Sequence, residues 1–245
     1  MTTRKVQNPN SKGSSAFIWA VLAVVAIAAL VIGLIVYNGR NDQKAAMEAE
    51  LISMDGIEVT WSEGDDVIRL AAPNAKDANE AALFEDFSCS YCAQYYEATE
   101  EDMLDRIKAG EIAIDLRPMV FLDRGNVGHS TKTLAAVLAL LANGDTDAAF
   151  TLRDYLMRNQ QQVYNNVDET KLAELAKGYG ASNAAQQDIR DAKYLNAAME
   201  MSADNSKLQQ DLGGEVWTPR VVVDGKDLYD DGNLTENWPA DLAAR

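Results

Sequence analysis

The stretch EDFSCSYCAQYY, residues 85–96, holds both cysteines of the chain, Cys89 and Cys92, with two residues between them. Such a pair can be two metal ligands, a structural cross-link or a working redox couple. A tetrahedral structural zinc site takes four ligands, mostly cysteine and histidine. This chain has two cysteines and one histidine, His129, so a metal would need carboxylates to complete its shell. A disulfide between residues three apart closes so short a loop that its chain-entropy gain lies near the bottom of the ~0–5 kcal/mol range. As a staple it would do little.

The redox reading explains placement as well as number. Residues 82–87, with Phe84 and Phe87, read as an apolar strand, and Cys92, Tyr96, Met103 and Ile107 recur at helical spacing up to Gly110. A helix beginning at Cys89 would turn its first unpaired N–H groups, and the positive end of its dipole, towards the Cys89 sulfur and favour thiolate over thiol. Cys92, one turn on and facing inward, is within disulfide reach but poorly placed to ionise. Glu85 and Asp86 complicate this, since a carboxylate near Cys89 would oppose the thiolate. Strand alternation sends the two to opposite faces, and both are expected to be solvated or capping acids.

Outward from this centre, residues 57–61 and 67–71 read as two short strands around the turn SEGDD, and residues 112–116 as another, with Pro118 at its end. Thr99 followed by Asp102 resembles a capping box, where the helix from Cys89 could kink or restart. Residues 130–142 are nearly all apolar or small, as in a helix packed on several sides. Three more helices are expected at 147–157, 169–179 and 184–204. Strand pattern returns at TPRVVVDGKDLY, residues 218–229, where Asp224-Gly225 makes a hairpin turn, and a short helix closes the chain at 236–244. His129, just before an apolar helix, is expected at the helix start rather than as a base or ligand. There is no internal repeat. The order describes an α/β core interrupted by a helical insertion.

The beginning of the chain differs. Residues 16–37 (AFIWAVLAVVAIAALVIGLIVY) hold no charge over a length sufficient to cross a ~30 Å hydrocarbon layer as a helix. The apolar run is longer than that of a cleaved signal peptide, and its small residues sit in mid-stretch, so an uncleaved anchor is expected. Arg4, Lys5 and Lys12 precede it without an acid, which leaves the N-terminus in the cytoplasm and the remainder outside. Beyond residue 40 there are 18 bases against 38 acids, a net charge of −20, which argues against binding nucleic acid or anionic lipid. The expected organisation is a cytoplasmic N-terminus (1–15), a transmembrane anchor (16–37), a linker (38–55), a core in two parts (56–123 and 212–245) and the helical insertion (124–211).

The combination of FEDFSCSYC with a helix after it and VWTPRVVVDGK far downstream resembles the DsbA-like branch of the thioredoxin superfamily, in its membrane-anchored bacterial form. The similarity spans roughly residues 55–245. It implies a thioredoxin fold with an inserted helical domain, Cys89 and Cys92 as the catalytic pair, and Thr218-Pro219 as a cis dipeptide opposite them, where the backbone of Thr218 could bind an extended substrate segment by strand addition. It further implies unfolded exported proteins as substrates and a membrane redox partner resembling DsbB or vitamin K epoxide reductase, with no metal or organic cofactor. Two residues depart from the family pattern. Ser90 stands where proline is common, so Ser90 and Tyr91 are candidates for tuning the Cys89 pKa through the N–H groups they bring. Leu83, six residues before Cys89, stands where many thioredoxin-fold enzymes carry a buried carboxylate that moves a proton to the second cysteine. The expected function is an extracytoplasmic thiol–disulfide oxidase; a reductase or isomerase using the same cysteines, and a non-catalytic peptide-binding module or chaperone, are the alternatives.

Overall fold

A computed structural model of the chain describes residues 51–73, 75–229 and 235–245, together with Trp19, Val21 and Leu22. But for those three residues, the expected anchor at 16–37 lies outside the described residues, as does most of the linker. Among the described residues no helix is long and apolar enough to cross a membrane.

Strand β3 (Asn79–Asp86) lies inside a six-stranded sheet ordered β1-β2-β4-β3-β5-β6, between β4 and β5. It runs parallel to β4 (Ile112–Met119) along its whole length and antiparallel to β5 (Arg220–Val223) through Ala82, Leu83 and Phe84. Neighbours on both edges and cover on both faces explain the run AALF. The strand pair β3 and β4 is joined by α1 (Ser90–Lys108), as parallel strands need a long crossover. On the outer side β2 (Ile68–Ala71) and β1 (Glu58–Thr60) add antiparallel strands. At the other edge β5 turns into β6 (Lys226–Asp227) through Asp224 and Gly225, both at positive φ as a two-residue hairpin requires.

Between β4 and β5 lies the helical insertion. After a 3-10 turn at Phe121–Asp123 come α2 (His129–Ala142), α3 (Thr146–Arg158), α4 (Gln160–Val163), α5 (Glu169–Gly178), α6 (Asn183–Arg190) and α7 (Leu195–Gly213). The chain closes with α8 (Trp238–Ala243). Leu208 and Leu212 of α7 pack on Phe84, Met119 and Val222, so the last helix of the insertion covers the middle of the sheet.

Four expectations are corrected. The helix expected at 184–204 is two helices, broken at Ala192 with φ at 53°. Ile189 and Tyr194 are both buried, yet positions five apart on one continuous helix would lie about 140° apart around its axis; the break turns both inward. Helix α1 runs without interruption past Thr99, whose hydroxyl is satisfied inside the helix by Tyr95 O at 2.8 Å rather than by capping. Strand β4 extends past Leu116 to Met119, with Pro118 near its end as expected, beyond the last residue paired with β2, Leu116, so that its missing N–H costs no bond to that strand. Glu85 and Asp86 are both buried, at 4% and 0% exposure, not solvated.

Candidate active site

Asp86, the last residue of β3, shapes the turn into α1. Its Oδ1 accepts the N–H of Ser88 at 2.8 Å and the hydroxyl of Ser130. Its Oδ2 accepts the N–H of Leu122 at 3.3 Å, and its carbonyl accepts the N–H of Cys89 at 2.9 Å. Burial pushes this carboxyl up to about 6 in spite of the donors around it. The capping role expected from sequence is present, in the interior rather than in water.

Cys89 is the N-cap of α1, and its sulfur accepts the N–H of Cys92 at 3.4 Å. Neither of the two cysteines is in a disulfide. As a thiol, Cys89 donates to Thr218 O at 3.3 Å. As a thiolate it can accept from the Thr218 hydroxyl, which is buried and bears on the Cys92 sulfur as well. The hydrogen bond from the Cys92 thiol is the largest influence on Cys89; with Thr218 and the N–H groups of Cys92 and Tyr91 it outweighs burial and holds the thiol at about 6. Burial and the neighbouring Cys89 sulfur push the Cys92 thiol well above its ordinary value. One sulfur is ready to ionise and the other retains its proton.

The remaining candidates fall into place around this pair. Tyr91 supplies its backbone N–H while its side chain is 65% exposed. Ser90 is exposed at the first position of α1, and no hydrogen bond joins it to the sulfur. Thr218-Pro219 is cis. Its loop is held from α7, where Gln209 exchanges two hydrogen bonds with the backbone of Trp217 at 3.0 and 3.1 Å. Cys89 is more enclosed than the sequence suggests, with 7% of its surface open, and Cys92 is closed at 3%. His129 begins α2 as expected, edge-on to Tyr164 at 5.3 Å, with both ring nitrogens lacking a partner among the described residues. Among the described residues no group of three or more His, Cys, Asp or Glu could hold a metal ion.

Two sets of residues escaped the sequence reading. Gln160 on α4 donates to the carbonyls of Phe87 and Cys89, at 2.8 and 2.9 Å, and so fastens the insertion to the start of α1. Arg153 on α3, 2% exposed, holds Glu85 with two hydrogen bonds at 2.7 and 2.6 Å and Glu100 with one at 2.6 Å. Its guanidinium also lies 4.5 Å from the Tyr96 ring centre. Gln160 left no local signal, since its partners are some 70 residues away in sequence. Arg153 did leave one, an arginine on the apolar stripe formed by Ala149, Leu152 and Leu156.

A thiol that caps a helix and ionises readily, a second thiol one turn deeper, and a cis-proline loop against the first define a thiol–disulfide oxidoreductase. Comparison with known proteins agrees. The sequence matches the thioredoxin family over residues 71–238. MdbA, a thiol-disulfide oxidoreductase from Corynebacterium diphtheriae, is 35% identical with a TM-score of 0.73, the match covering 80% of this chain and 98% of that one. MdbA from Corynebacterium matruchotii is 28% identical with a TM-score of 0.74, covering 82% and 98%. DsbA from Mycobacterium tuberculosis, at 19% identity and a TM-score of 0.54, shares the fold over 66% of this chain and 85% of its own. Comparison with curated protein sequences finds no match. The chain belongs to the thioredoxin family, among its MdbA- and DsbA-like thiol–disulfide oxidoreductases.

Proposed function

We propose that the protein is an extracytoplasmic oxidase that introduces disulfides into exported proteins through Cys89 and Cys92. A substrate thiolate attacks the Cys89 sulfur of the oxidised pair, the Cys89–Cys92 bond breaks, and its electron pair leaves with Cys92. A second substrate thiolate attacks the substrate sulfur of the mixed disulfide and Cys89 departs as a thiolate. Two electrons have then passed from substrate to enzyme, and a membrane oxidant resembling DsbB or vitamin K epoxide reductase returns the pair to its disulfide. Neither a metal nor an organic cofactor enters these steps.

The observation that carries the oxidase direction is the Cys89 thiol held at about 6. A stabilised thiolate favours the reduced pair over the disulfide, which makes the disulfide a strong oxidant and Cys89 a good leaving group. Access for an unfolded chain is supported by Tyr91, Leu122, Val127 and Tyr164, large apolar side chains each at least 40% exposed. Three are tied to the site: Tyr91 lies between the cysteines, Leu122 donates to Asp86, and Tyr164 packs on His129. The extracytoplasmic setting rests on the uncharged stretch at 16–37 and the basic residues before it.

Equilibrating the Cys89–Cys92 couple with glutathione tests the direction. An oxidase requires a couple more oxidising than the glutathione pool, and a strongly reducing value would replace it with a reductase. Loss of thiol oxidation in Cys89→Ser with peptide binding retained supports catalysis; unchanged biological activity would leave only a binding module.

A further inference from the structure

Whichever way electrons flow, the proton of Cys92 must move, because its sulfur leaves as a thiolate in one direction and attacks as one in the other. Burial makes that ion costly. Leu83, behind the pair and 8% exposed, offers no group to carry the proton.

The surroundings of Cys92 offer another route. A cavity of about 20 Å³, room for one water, is bordered by Cys92, Leu83, Glu85, Glu100, Arg153 and Pro219 among others. A larger groove of about 630 Å³ is lined by Glu100, Glu101 and Leu104 of α1 and by Thr151, Asp154, Tyr155 and Arg158 of α3. The two spaces have one lining residue in common, Glu100. Glu85 is not equivalent. It borders only the inner cavity, and both its oxygens are taken by Arg153. Glu100 accepts from Arg153 through Oε1 alone, which leaves Oε2 without a hydrogen bond among the described residues.

We infer that Glu100 relays the proton of Cys92, through a water in the inner cavity, to and from the groove between α1 and α3. When a thiolate attacks Cys89 and Cys92 leaves, the Glu100 carboxylic acid passes its proton through the water to the Cys92 sulfur and becomes a carboxylate. The groove then supplies a proton to Glu100 from solvent. During reoxidation Glu100 first returns that proton to the groove, and as a carboxylate it takes the proton of Cys92 as that sulfur attacks. No electrons pass through Glu100. Its surroundings suit this traffic: burial, with Glu85 on β3 and Asp154 on α3 adding repulsion, raises the carboxyl to about 7 against the pull of Arg153. The other ionisable groups lining the two spaces are Tyr95, Tyr96 and Glu101 on α1, Tyr155 and Arg158 on α3, and Tyr179. The inference rests on the redox role proposed for the pair.

The test uses the full-length oxidised protein and reduced glutathione, with rates expressed per glutathione thiolate. In the wild type this rate falls as pH rises through about 7, as general-acid assistance is lost. In Glu100→Gln the rate is lower by about tenfold or more at pH 6 and nearly flat with pH, while alkylation of Cys89 in the reduced protein is unchanged. Glu100→Asp recovers part of the pH dependence. A Glu100→Gln profile that follows the wild type overturns the relay while leaving the redox role intact. A wild-type protein that does not exchange with glutathione removes the redox role and the relay with it. Should Glu100→Gln not fold, Glu100→Asp, which keeps the carboxyl, decides: a rate at pH 6 below that of the wild type with a displaced pH profile supports the relay, and a profile that follows the wild type contradicts it.

Discussion

Gln160 donates to the carbonyl of Cys89 at 2.9 Å, so the residue that caps α1 is gripped from a four-residue helix of the insertion. The same amide nitrogen reaches Phe87 O at 2.8 Å, so one side chain serves two carbonyls of the turn between strand and helix, that of Cys89 accepting also from the Ala93 N–H at 3.2 Å. The insertion is therefore part of the site's construction, not only a cover over the sheet.

Gln160→Ala leaves both buried carbonyls without that donor and is expected to destabilise the protein by about 1–3 kcal/mol. Urea unfolding checks this: the midpoint falls while the slope stays the same, since the surface exposed on unfolding does not change.

Arg153→Met removes the cation that, alone among the described residues, holds Glu85 and Glu100, two carboxylates at 4% exposure each. An uncompensated buried charge costs about 3–5 kcal/mol. Arg158→Met breaks the more open pair with Asp154 and is expected to cost no more than about 1 kcal/mol. Paired urea melts in which the two variants lose equal stability would contradict the assignment of the buried triad.

The Cys89 shift has a consequence for stability against pH. The folded reduced protein holds this thiol at about 6, whereas an unfolded thiol titrates near ~8.5. Between these values the unfolded state binds more protons, so the contribution is complete above ~8.5 and is lost as pH falls through about 6. Asp86 and Glu100, both raised, act in the opposite sense at lower pH, and they are present in both redox forms. The stability of the reduced form minus that of the oxidised form isolates the cysteine and is expected to rise from pH 6 to pH 8.5; a flat difference would count against the stabilised thiolate.

Local patterns in the sequence carried the strands, the start of α1 at Cys89 and the hairpin at Asp224-Gly225, because each is set by residues near one another in the chain. The resemblance of CxxC and Thr-Pro in that order added what locality could not, the meeting of Cys89 with Thr218. Burial of Glu85 and Asp86 was not legible, since alternation along a strand assigns faces without saying whether the insertion covers them. Their partners, Arg153 and Ser130, lie 68 and 44 residues downstream. The two-helix form of residues 183–213 also escaped, because Ile189, Ala192, Leu195 and Met199 recur at spacings that one continuous helix would give.

The account depends most on the ionisation of Cys89, and the ultraviolet thiolate absorbance of the reduced protein measures it directly. The predicted result is a single-thiolate transition with a midpoint near 6, absent in Cys89→Ala and moved upward in Cys92→Ala, which loses the largest contributor to the shift. A wild-type midpoint at the ordinary thiol value, ~8.5, would contradict it.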